Sequence, residues 1–165
     1  MPEKSIFTIT KLLKAYFLCR THKRNTVNAL KFELNLETNL TSLRNQLVKR
    51  LYKPNRSVCF VVVYPKIREI FAADFSDRII HHLLVQEIEP YFEKILINNS
   101  FACRKNKGTC MAVRDLYRTL DKITNNNKIL AYYGQFDIKS FFTSIDKQIL
   151  YTAVETKIFS LNRCR

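Results

Sequence analysis

Residues 129–136 form an apolar run of strand length, and the residue that follows is an acid, Asp137. A run this continuous reads as a buried strand, which constrains the fold because such a strand needs a sheet around it. It delivers one carboxylate at its end, with two adjacent aromatics, Phe141 and Phe142, soon after. A charged acid at the end of a buried strand is costly unless compensated, and a bound divalent cation is a common compensation. Asp137 is therefore a candidate metal ligand. The alternative is an aspartate that caps the next turn, since turns favour Asp for local hydrogen-bonding reasons. These residues alone leave both open.

Charge narrows the partner. The 28 Lys and Arg outnumber the 14 Asp and Glu, giving a formal +14 that attracts polyanions such as nucleic acid. A membrane surface is disfavoured, because no basic amphipathic helix and no run of spanning length stands out. The start of the chain lacks a secretory signal, so a cytoplasmic protein is expected. The 165 residues correspond to one domain or a piece of something larger, and 47% hydrophobic content with Gly 2 and Pro 4 supports a real core with little linker. The cysteines, Cys19, Cys59, Cys103, Cys110 and Cys164, are odd in number and lack CxxC pairing, as expected of a reducing compartment. Cys103 and Cys110 with His81 and His82 match no familiar zinc spacing. Buried thiols and helix-face histidines are the better account.

Helical periodicity opens the chain. Ile9, Leu12, Leu13, Tyr16 and Phe17 follow Thr8 or Thr10 as caps, and His22-Lys23-Arg24-Asn25 is expected to end that helix. Leu36, Leu40, Leu43, Leu47 and Leu51 mark a second helix, with Arg44, Lys49 and Arg50 off the stripe. After a turn at Lys53-Pro54-Asn55, residues 58–64 read as a strand, Pro65 stops it, and residues 67–71 return. Lys66 and Arg68, two apart, would share one face if extended and suit a polyphosphate; solvated turn residues are the alternative.

Asp74 or Ser76 can cap a helix carrying Ile79, Leu83, Leu84 and Ile88 inward, with Pro90 starting a further segment over residues 91–97. Residues 103–109 make a basic loop closed by Gly108, and Thr109 would cap a helix with an apolar face of Val113, Leu116, Tyr117, Leu120 and Ile123. A basic loop entering a helix offers N–H groups and positive dipole to a phosphate. Without a Gly-Lys-Ser/Thr ending it is not a P-loop, which excludes Walker-type hydrolysis. Asn125-Asn126-Asn127 leads into the strand, and Asp146 would cap a last helix over residues 147–159.

Three stretches, in order, carry a family resemblance. They are Tyr64-Pro65-Lys66-Ile67-Arg68-Glu69-Ile70 through Asp77-Arg78 to His82, then Glu89-Pro90-Tyr91-Phe92-Glu93 through Ser100-Phe101-Ala102-Cys103-Arg104 to Gly108-Thr109, and Phe136-Asp137-Ile138-Lys139-Ser140-Phe141-Phe142. Together they resemble the N-terminal part of a bacterial reverse transcriptase, over about residues 30–160, with the flavour of the diversity-generating retroelement and related unclassified branches. Group II intron relatives usually have a longer insertion between the Lys and the Arg and a Gly-Phe-Arg-Pro-like stretch at Ala102-Cys103-Arg104-Lys105, so maturase activity is not implied.

The resemblance implies an α/β (α+β) right-hand polymerase: an N-terminal helical region at 1–55, fingers at 56–127, and the first palm strand and helix at 128–165. It implies RNA-directed DNA synthesis by two Mg²⁺ ions on an RNA template and DNA primer with dNTP, with room for an accessory protein. Lys66 and Arg68 would bind the triphosphate. Arg78 and Arg104 would sit near the template or support the fingers, and Lys105 and Lys107 would bind the template. Asp137 would be the first catalytic aspartate, the Ile138 backbone carbonyl a further metal ligand, and Phe142 the aromatic that excludes a 2′-hydroxyl. Nucleotidyl transfer needs more than one carboxylate. The family's Tyr-x-Asp-Asp hairpin is not found, and Asp146 reads as a cap. The expectation is thus a fingers and partial-palm fragment, inactive alone, with a non-catalytic RNA-binding module as the alternative.

Overall fold

The structure, a computed structural model, describes residues 6–21 and 26–163, with side chains described as far as residue 160. It is α+β, helices with one small antiparallel sheet, and divides into two units, Met1–Pro90 and Tyr91–Arg165.

The first unit is built on helix α1 (Ile9–Arg20), α2 (Val27–Glu33), α3 (Leu36–Val48) and α4 (Phe75–Phe92). Thr8 caps α1, its side chain accepting from the Lys11 N–H at 3.2 Å. The buried face of α1 is Leu12, Ala15, Tyr16 and Cys19; Ile9 and Phe17 lie at its exposed margin. The expected helix end at His22-Lys23-Arg24-Asn25 lies outside the described residues. Helix α2, not anticipated, buries Ala29, and its Phe32 packs on the core. Glu33 joins it to α1, accepting from Tyr16 OH at 2.8 Å and Arg20 Nη2 at 2.7 Å.

The leucine stripe behaves as expected within α3. Leu40 and Leu43 are buried, and Leu36 and Leu47 pack against them. Leu51 lies beyond the helix and is exposed, because the backbone turns at Arg50 (φ 56°) and the Leu51 N–H closes back onto the Gln46 carbonyl at 2.9 Å. Phe75, Ile79, Ile80 and Leu83 of α4 complete the core, with the Phe75 ring 5.5 Å from Phe32 and 6.3 Å from Tyr16. Leu84 is exposed and Ile88 half-buried, so the inward face is displaced towards Ile80 from the expected one.

Between α3 and α4 lies a hairpin, β1 (Val58–Val62) and β2 (Arg68–Ala72), in the register Val58↔Ala72 to Val62↔Arg68. Pro65 sits in the connecting turn, after a cis Tyr64–Pro65 bond.

Helix α4 runs on through Pro90 to Phe92, so the expected fresh segment over residues 91–97 does not form. A proline costs most in mid-helix; here only the last turn is affected. In the second unit, α5 (Thr109–Ile123) is capped by Gly108 rather than Thr109. The three asparagines after α5 take left-handed φ of 48°, 54° and 64°, a region Asn tolerates, and the Asn126 N–H bonds the Asp121 carbonyl at 2.9 Å.

Residues 129–136 do not form the expected buried strand. They have no strand pairing, and Tyr132 and Phe136 are 94% and 95% exposed. A strand exists only through partners, and the described sheet holds β1 and β2 alone. A short turn, α6 (Phe141–Ser144), precedes α7 (Lys147–Arg163), which outruns its expected end at residue 159. Asp146 caps α7 as the sequence suggests, accepting from the Gln148 and Ile149 N–H groups at 2.8 and 3.0 Å. Cys19 is buried, but Cys59, Cys103 and Cys110 are exposed, against the expectation of buried thiols. No described helix is long and apolar enough to cross a membrane.

Candidate nucleic-acid interface

The hairpin places both of its predicted cations at one end. Arg68 opens β2 opposite Val62, and Lys66 lies in the turn, two residues before it. Because β2 begins only at Arg68, Lys66 is outside the pleat and the strand rule for a shared face does not reach it. Both side chains are exposed, and no described residue makes a hydrogen bond or ion pair with either. Two unneutralised cations at the tip of an extended arm can meet an anion with little desolvation.

The arm has a fixed base. Asp77, in the first turn of α4, is 3% exposed and takes hydrogen bonds from the Tyr52 hydroxyl and, at 2.9 Å, from the Asn55 backbone N–H. Asn55 Nδ2 also donates to Ser76 Oγ at 2.9 Å. On the outgoing side, Asp74 Oδ1 accepts from Ser76 N–H at 3.0 Å, capping α4. The chain entering β1 and the chain leaving β2 are therefore both tied to the first turn of α4. Burial, then the Asp77 hydrogen bond, pushes the Tyr52 phenol well above its ordinary value, which keeps it a donor. The sequence reading missed this cluster. Its signal was the position of Asp77, three residues before Ile80 and thus on the inward face of a helix where an acid needs partners.

Arg78 lies in the same first turn. Its guanidinium carbon is 5.6 Å from the Phe75 ring centroid, and its Nε is buried without a hydrogen-bond partner.

In the second unit Arg104 is committed to its own loop. Its side chain is 9% exposed, Nη2 and Nε bond Glu93 at 2.8 and 3.0 Å, and Nη1 donates to the Ile97 and Ser100 carbonyls at 2.9 Å each. This fork holds residues 93–104 together. The guanidinium hydrogen bond holds the Glu93 carboxyl below its usual range, and Glu93 raises Arg104 in turn. Lys107 bonds the Asn98 carbonyl and lies 5.3 Å from the Phe101 ring centroid, while Lys105 is exposed in the same loop.

Asp137 lies in the extended segment after α5, exposed, with Oδ1 accepting from the Ile138 N–H at 3.0 Å. Phe142 is 89% exposed, with its ring 5.2 Å from that of Phe141. Among the described residues no three His, Cys, Asp or Glu are grouped to hold a metal. One exposed carboxylate, engaged with the next N–H, does not fit a two-ion site by itself. The described residues thus present exposed basic groups for an anion, with Asp137 outside any group of three possible metal ligands. No protein-family model and no curated protein matches the chain.

Proposed function

We propose that the chain supplies the fingers and the first part of the palm of an RNA-directed DNA polymerase, acting in the cytoplasm on an RNA template and a DNA primer, and that it does not complete a catalytic site alone. The observation that carries the reading is the hairpin with Lys66 and Arg68 at its free end and Asp77 at its base. A braced arm with an unneutralised cationic end suits the triphosphate of a nucleotide. The overall charge of +14 supports a polyanionic partner. Asp137 and Phe142 lie five residues apart on one exposed segment, available to a nucleotide and to acids supplied from elsewhere.

A second reading is a non-catalytic RNA-binding module, and the lone carboxylate at Asp137 favours it. The two separate in a product of the same gene that carries a Tyr-x-Asp-Asp hairpin. There the polymerase reading predicts that Asp137→Ala reduces RNA-templated primer extension to background, while Phe142→Ala preserves extension and relaxes discrimination against ribonucleotides. Undiminished extension by the Asp137 variant would remove the catalytic role assigned to Asp137, and no extension even by the unsubstituted product would leave the binding module.

A further inference from the structure

A partly enclosed cavity of about 160 Å³ in the second unit lies between the loop at residues 98–107 and α5, lined by Asn98, Phe101, Lys107, Arg114, Asp115 and Arg118 among others. That volume is several times the roughly 10–15 Å³ of such space that one water needs, so there is room for a small polar group. Arg114 and Arg118, four apart on α5, lie along one helix face. Both are exposed, and neither side chain has a hydrogen bond or ion pair with any described residue. Asp115 beside them is not within ion-pair distance of either. Lys107 is held in place by the Asn98 carbonyl and the Phe101 ring, so a third positive charge is fixed at the wall.

We propose that this cavity holds one phosphodiester of a single-stranded nucleic acid, with Arg114 and Arg118 as the groups that contact its oxygens. A guanidinium presents donors in a planar fork that matches phosphate oxygens. Three cations against one carboxylate favour an anion, and Asp115 sets a limit on how much charge the pocket accepts, which suits a monoanionic diester. Phe101 gives the wall an apolar surface beside the charges. The inference rests on the nucleic-acid part of the proposed function and adds a contact separate from the hairpin.

The test is equilibrium binding of the full chain to fluorescent single-stranded RNA and DNA oligonucleotides of one sequence, across a salt series. Arg114→Ala with Arg118→Ala should weaken binding to both by about three- to tenfold and lower the magnitude of the log–log salt slope by about 0.7, the loss of one neutralised phosphate on a single strand. Asp115→Asn should strengthen binding about two- to threefold, a gain that a misfolded protein would not produce. Wild-type binding with unchanged affinity and slope in the double variant overturns this contact and leaves the wider reading standing, as would an effect confined to one of the two polymers. Failure of the wild-type chain to bind either polymer overturns both.

Discussion

Asp77 is the residue on which the arm depends. It is the one acid buried among the described residues, and its partners come from the chain that enters β1. Removing a donor leaves a buried carboxylate short of a hydrogen bond, and bonds to charged groups are worth about 1.5–3 kcal/mol where buried. Tyr52 is only half-buried, so Tyr52→Phe is expected to cost about 1–2 kcal/mol in urea unfolding at neutral pH. The pH dependence has a definite sign. Tyr52 titrates higher in the folded chain than the ordinary tyrosine value of about 10, so its contribution is complete below that pH and is lost as pH rises above it. The phenylalanine variant should lack that part of the alkaline decline; an identical decline would show that Tyr52 is not held by Asp77.

At the scale of elements, what was legible in the sequence was local. Thr8 and Asp146 act as caps because each bonds N–H groups within three residues, and the hairpin turns at Pro65 because a proline cannot continue a ladder. Asp74→Ala should cost about 1 kcal/mol for loss of the α4 cap, read by urea unfolding; no change would show that Ser76 alone satisfies the helix start. Elements decided by distant partners were not legible. Residues 129–136 have strand composition but no described strand to pair with, and the apolar face of α5, from Val113 to Ile123, remains exposed although its spacing is that of a core helix. Helix α2 escaped notice for the opposite reason: it buries Ala29 and little else, too few positions to set a period. In the site, Lys66 and Arg68 were readable from the hairpin, whereas the bonds of Arg104 to Glu93 and two carbonyls depend on loop geometry that spacing does not encode.

For the whole molecule, the first unit carries a buried core and the second carries exposed apolar segments, basic groups and the exposed Asp137. On the proposed reading, the chain's basic groups hold nucleic acid, and nucleotide addition needs metal-binding acids beyond Asp137. The central claim is tested most directly by RNA-templated extension of a labelled DNA primer by the full chain, with Mg²⁺ and dNTP present and protein at a concentration that saturates a gel shift of the template–primer. The account predicts a salt-sensitive shifted complex and no incorporation. Robust incorporation, or the absence of a complex at low salt, would contradict it.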